Sequence, residues 1–134
     1  MPGIAGIHHA ALTVSDVERS AAWYQDLLGL QCVLSGDDDT VSFRVLADFE
    51  SGLVLGVRQY HERAGSGDRF DEFRVGLDHL ALQVGSRADL EAWEGELSRR
   101  SVTFTPIAET PIGSLVVFRD PDGIQLEFWL PAEG

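Results

Sequence analysis

The chain has 134 residues, 44% of them hydrophobic and 24% charged, and its twenty-two acidic against ten basic side chains leave a net charge of −12. That length allows one core that buries roughly 68% of the unfolded surface, and the composition excludes a disordered or membrane-spanning chain. The negative charge repels phosphate backbones and anionic lipids, so neither nucleic acid nor a membrane is an expected partner.

In chain order, "MPGIAGIHH" has no basic region followed by a long apolar core, and the cytoplasm is the expected compartment. "IHHAALTV" alternates as a strand, and Ser15 followed by Glu18 reads as a capping box that starts a helix. Val17, Ala21, Tyr24 and Leu28 share one face of that helix, and Gly29 is its expected stop. Strands are predicted over about 31–35, 40–46 and 53–60, separated by "GDDD" and "DFESG". Asp37, Asp38 and Asp39 lack the alternating spacing of a calcium loop and read as a hairpin tip. Cys32 is the only cysteine, which excludes an internal disulfide and a Cys-rich zinc cage, and it reads as a small buried hydrophobe. The polar stretch 61–76 is long for a connection; such a segment is either a functional loop or a linker. Beyond it come "DHLALQV", a helix over about 87–100, strands over about 102–107, 114–119 and 124–130, and a "DPDG" turn.

The two halves are copies. His9, Leu12, Val14, Trp23 and Leu27 recur seventy residues on as His79, Leu82, Val84, Trp93 and Leu97, and Ala11 returns as Ala81. Each copy reads strand, helix and three strands, the first over about 5–60 and the second over about 77–131.

Strand alternation then sorts the side chains. His9, Ala11 and Thr13 fall on one face and His8, Ala10, Leu12 and Val14 on the other; the second copy sets His79, Ala81 and Gln83 against Asp78, Leu80, Leu82 and Val84. In "IQLEFWL" the residues Gln125, Glu127 and Trp129 share the polar face. Two imidazoles and one carboxylate from three strands make the facial arrangement that holds an Fe, Mn, Zn, Ni or Co class divalent ion with open positions. His9, His79 and Glu127 are the candidate ligands, and His8 is expected to face elsewhere.

"HHAALTVSDVERSAAWYQDLLGL", "LDHLALQV" and "RDPDGIQLEF" together resemble the vicinal oxygen chelate superfamily, which includes glyoxalase I, bleomycin-resistance proteins, fosfomycin-resistance enzymes and extradiol dioxygenases. The resemblance implies an α+β fold in which two tandem βαβββ modules, within one 134-residue domain, curve mixed sheets around a metal-containing cleft. It also implies a homodimer. Family members often carry a fourth donor at the end of the first module, where the offset of seventy points to Val57 and a one-residue gap to Gly56, neither of which binds metal. Gln59 and His61 restore a donor only if the register shifts.

The expected activity is that of a metal-dependent small-molecule enzyme, lyase- or isomerase-like, in which the ion activates substrate through vicinal oxygens. Two other readings remain: a bleomycin-resistance-like drug-binding protein without catalysis, and an Fe(II) extradiol-type dioxygenase. Thr13, Gln83, Gln125, Trp129, Gln59 and Tyr60 are the candidate substrate contacts. Arg58, Arg74 and Arg119 are candidate holders of an anionic group, and no general base stands out.

Overall fold

The computed structural model describes residues 1–133. Its elements run β1 (Ala10–Thr13), α1 (Val17–Leu28), β2 (Gln31–Asp37), β3 (Val41–Ala47), β4 (Val54–Tyr60), a short 3-10 turn (His61–Arg63), β5 (Leu80–Gln83), α2 (Arg87–Arg99), β6 (Ala108–Thr110), β7 (Gly113–Arg119) and β8 (Gln125–Pro131). They form two four-stranded mixed sheets of identical topology, ordered β1-β4-β3-β2 and β5-β8-β7-β6. In each, the first strand runs parallel to the last and the remaining neighbours are antiparallel.

The chain divides into two compact units, Met1–Asp68 and Arg69–Gly134. Each has its own core, because each repeat supplies one amphipathic helix and one sheet with an apolar face. In the first unit Val17, Ala21, Tyr24 and Leu27 of α1 are buried together with Leu46, Leu55 and Val57 of the sheet. The inward residue near the helix end is thus Leu27, not Leu28. In the second unit Leu90 and Leu97 of α2 are buried together with Val116, Leu126 and Phe128. Trp93 stacks on Phe128 with ring centroids 4.3 Å apart, and Phe128 on Phe118 at 4.5 Å. Each such aromatic pair contributes about 0.5–1.5 kcal/mol beyond its area.

Local chemistry sets the element ends. Asp16, not Ser15, caps α1 by accepting from the Arg19 amide at 3.0 Å, so the capping box expected from Ser15 and Glu18 does not form. Glu18 instead pairs with Arg44 of β3. Gly29 ends α1 at φ 68°, donating its amide to the Gln25 carbonyl. The equivalent turn after α2 places Ser101 at φ 56°, a left-handed position filled without glycine. β6 lies at 108–110 and not at 102–107: Pro106 removes an amide from the expected strand, and only an isolated bridge from Phe104 to Phe118 remains upstream. Cys32 is exposed, contrary to expectation, because β2 is an edge strand with a bulge between Cys32 and Leu34.

The second half of the 61–76 stretch is fastened to the second unit. The Phe70 amide donates to the Asp122 carbonyl at 3.1 Å, and Glu72 pairs with Arg119 at 2.8 Å.

Candidate functional site

The sheet registers align the two modules residue by residue. Ala11 pairs with Gly56 in the first sheet, and Ala81 with Glu127 in the second. Glu127 therefore corresponds to Gly56, one residue short of the simple offset. Val57 is buried on the helix side. Gln59 shares that side, and its side-chain oxygen accepts from the Val17 amide at 2.9 Å, capping α1. Its expected place on the cleft face is corrected accordingly: two-residue alternation from Val57 puts it against the helix. His61 lies in the 3-10 turn with its Nε2 2.8 Å from the Ser42 hydroxyl. The register thus leaves the position equivalent to Glu127 at a glycine.

In the second unit, His79 and Glu127 meet. His79 Nε2 lies 3.6 Å from Glu127 Oε1, and the Glu127 side chain is only 10% exposed. Apart from that ring, Glu127 has no polar partner among the described residues. The other ring nitrogen of His79 is held by its neighbour, with Nδ1 donating to Asp78 Oδ1 at 2.7 Å. A proton fixed on Nδ1 leaves Nε2 as the free lone pair of the neutral ring, aimed toward a carboxylate. Two acceptors at that separation present a nitrogen and an oxygen that a shared cation could join.

Asp78 is itself held. Gln125 Nε2 donates to it at 2.9 Å, while Gln125 Oε1 accepts from Arg119 at 3.0 Å. Arg119 in turn forms a forked pair with Glu72, its Nη2 2.8 Å from Oε1 and its Nη1 3.2 Å from Oε2. The Arg119 hydrogen bond pulls the Glu72 carboxyl below the ordinary carboxylate range, and Glu72 raises the Arg119 guanidinium in return. Arg119 and Gln125 thus work as links in a chain that ends at His79, an arrangement that strand alternation alone did not reveal.

His9 and His8 precede β1, which begins at Ala10. Alternation does not bind them, and the expectation that His8 faces away fails for that reason. Their Nδ1 atoms are 2.7 Å apart, the rings stand edge-on at 84°, and both line a cavity of about 190 Å³ on the sheet of the first unit. Ala11, Phe43, Val45, Val54, Gly56 and Arg58 complete most of its wall. His8 precedes and touches His9 as Asp78 precedes and touches His79, but an imidazole, unlike a carboxylate, can donate as well as accept.

The other expected contacts fall as follows. Tyr60 shares a face with Gly56 and Arg58, and its hydroxyl accepts from Arg58 Nε at 3.4 Å. Thr13 pairs with Arg58 and Gln83 with Trp129, both exposed at the ends of their short strands. Trp129 is half-buried against Gly113, where an added Cβ would come within 3.0 Å of the indole. Arg74 faces Asp71. Among the described residues no three His, Cys, Asp or Glu side chains converge within one chain.

A model of the Glyoxalase/Bleomycin resistance protein/Dioxygenase superfamily matches residues 6–128. The chain belongs to that superfamily. A glyoxalase/bleomycin resistance protein/dioxygenase domain from Frankia sp. EAN1pec is 37% identical, with a TM-score of 0.88 over 97% of this chain and all of that one. The protein YwkD of Bacillus subtilis (strain 168) is 28% identical over 129 residues, 94% of this chain and 97% of its own length. A fosfomycin resistance protein, FosX, from Listeria monocytogenes, solved with Mn(II) and a dihydroxypropylphosphonic acid, superposes with a TM-score of 0.71 over 95% of this chain and 90% of that one. At 19% identity that likeness speaks for the fold alone. No helix among the described residues is long and apolar enough to cross a membrane.

Proposed function

We propose that the protein is a metal-dependent small-molecule enzyme of this superfamily, with His9, His79 and Glu127 as the ligands of a divalent ion. The observation that carries the reading is the His79 and Glu127 pair. A nearly enclosed carboxylate faces an imidazole nitrogen at 3.6 Å, and Asp78 holds the ring with that nitrogen outward. Burial of such a carboxylate beside a second acceptor is unfavourable unless a cation joins them. One nitrogen and one oxygen, with a second imidazole from His9, match the ligand preferences of Fe, Mn, Co, Ni and Zn. When bound, the ion supplies Lewis-acid polarisation to two neighbouring substrate oxygens.

The chain's own residues do the rest. Gly56 leaves the position equivalent to Glu127 without a donor, so the coordination sphere keeps room for substrate. Asp78, oriented through Gln125 and Arg119, fixes the tautomer of His79. His8 Nδ1 lies 2.7 Å from His9 Nδ1 and holds that ring by a single shared proton.

The site is read as shared between two copies of the chain. Ile4 and Ile7, leading into β1, are 96% and 94% exposed, and Phe73 and Val75, leading into β5, are 93% and 109% exposed. Fully exposed apolar residues concentrated in both lead-ins mark surfaces that a partner covers, and a two-fold pair is the commonest assembly of a small protein.

Thermal stability tests the metal directly. A ligand bound only by the folded state stabilises by RT ln(1 + [L]/Kd), about 2.7 kcal/mol at a hundredfold excess over Kd. Addition of Mn, Fe, Co, Ni or Zn to chelator-treated protein should raise Tm, and chelator should reverse the rise. An unchanged Tm with all five would favour the drug-binding reading instead.

A further inference from the structure

We propose that the cavity on the first module's sheet binds a small organic acid, its apolar body lying against Val45, Val54 and Phe43 and its carboxylate meeting the guanidinium of Arg58. This names the substrate class of the enzyme proposed above, and it rests on that reading only for what happens after binding.

The charge pattern points to Arg58. All ten basic residues of the chain are arginines, set among twenty-two acids. At least seven of them lie within 4.0 Å of a carboxylate among the described residues. Arg58 has no such partner among the described residues, although it is half-buried and stands in a cavity wall. Arg44, the other arginine in that wall, is engaged by Glu18 and Asp37. A guanidinium with no carboxylate within ion-pair distance among the described residues is an available anion receptor.

Arg58 is also held in place. Its guanidinium carbon lies 5.3 Å from the Phe43 ring centroid and 5.8 Å from that of Tyr60, and Nε donates to the Tyr60 hydroxyl at 3.4 Å. The Nη edge is left without a hydrogen-bond partner among the described residues. Phe43 is seated in turn on Gly36 of β2, where an added Cβ would fall 2.3 Å from the ring. Stacking on two aromatics reduces the freedom that Arg58 loses on binding, so less of the interaction is offset by ordering.

The cavity's shape and lining select the rest of the ligand. Its volume is about 190 Å³. An apolar cavity of about 150 Å³ holds a benzene molecule, so this one takes an aromatic or branched short-chain body with a carboxylate attached. No Asp or Glu lines it. The second module has Glu127 and Trp129 where the first has Gly56 and Arg58, so the equivalent faces carry opposite charge. Gly56 keeps the floor flat: a Cβ there would already sit 3.4 Å from that of Ala11. His8 and His9 line the same cavity, which brings a bound acid beside the proposed ligand His9.

The test uses the full chain after chelator treatment, with phenylacetate and isovalerate as probes and phenylacetamide as the uncharged match, followed by calorimetry and proton NMR. Both acids should bind saturably, and the amide roughly 10- to 100-fold more weakly, the range of a hydrogen bond to a charged group. Arg58→Gln should remove the preference for acid over amide while leaving Tm unchanged, and Arg58→Lys should retain part of it. Gly36→Ala, which displaces the Phe43 ring, should weaken both acids. Equal binding of acid and amide, undiminished acid binding by Arg58→Gln, or tighter binding of phenylphosphonate than of phenylacetate would each overturn the assignment. Because the chelated protein is used, failure here is distinct from failure of the metal site.

Discussion

Asp78 Oδ1 lies 2.7 Å from His79 Nδ1, so the residue immediately before a proposed ligand holds the ring nitrogen that faces away from Glu127. In the first module the preceding residue also touches the ring, His8 Nδ1 lying 2.7 Å from His9 Nδ1, although an imidazole can donate as well as accept. Outer partners of this kind typically change metal affinity 10- to 100-fold when removed. Asp78→Ala and His8→Ala should each weaken Mn or Zn binding by roughly that factor in competition with a chromophoric chelator, while stoichiometry at saturating metal stays intact. Wild-type affinity in both variants would contradict the orienting role.

The link from Glu72 to Arg119 gives the acid side of the stability curve a definite sign. Arg119 lowers the folded-state pKa of Glu72, chiefly by a side-chain hydrogen bond. The pair's contribution is therefore complete above the ordinary glutamate pKa, about 4.3, and disappears as pH falls through the lower folded value. Urea unfolding across that range should show wild type losing more stability on acidification than Glu72→Gln. Parallel curves would remove Glu72 from the account.

The end of α2 offers a stability test remote from the site. Ser101 holds a left-handed conformation at φ 56°, where Gly29 serves after α1. Left-handed backbone costs a non-glycine residue about 1–2 kcal/mol, of which the greater freedom of glycine in the unfolded chain cancels part. Ser101→Gly should therefore raise unfolding free energy by about 0.5–1 kcal/mol. Gly29→Ser should lower it by a similar amount.

The repeat made the fold readable from the sequence: a histidine, a tryptophan and an apolar strand pattern returning at one offset require two copies of one unit. The polar face of β8 follows from alternation because Gln125, Glu127 and Trp129 lie inside a regular strand, whereas Asp78 and His79 precede β5 and Asp78, expected on the opposite face, meets both His79 and Gln125. Alternation failed where regularity fails. His8 and His9 sit before the first paired residue of β1, so nothing forces them apart. Gln59 falls on the helix side because the modules differ by one residue between their first and last strands, which puts Gly56 and not Val57 opposite Ala11. The chain from Glu72 through Arg119 and Gln125 to Asp78 joins residues up to 47 positions apart. No local pattern encodes such a link.

Subunit mixing tests the shared site. Refolding His9→Ala with Glu127→Ala chains yields heterodimers in which one site takes both defects and the other takes neither, if His9 of one chain completes the pair of its partner. Metal binding should then return in the mixture, although neither variant binds alone. A monomer by sedimentation at micromolar concentration, or no recovery on mixing, would contradict the shared arrangement.

Metal stoichiometry in the three ligand variants tests the central claim most directly. Protein purified without oxygen, stripped, reloaded with Mn, Fe, Co, Ni or Zn and desalted should hold one ion per chain. His9→Ala, His79→Ala and Glu127→Ala should each hold far less than one while remaining folded by circular dichroism. Retention of a full ion per chain by all three variants would contradict the account.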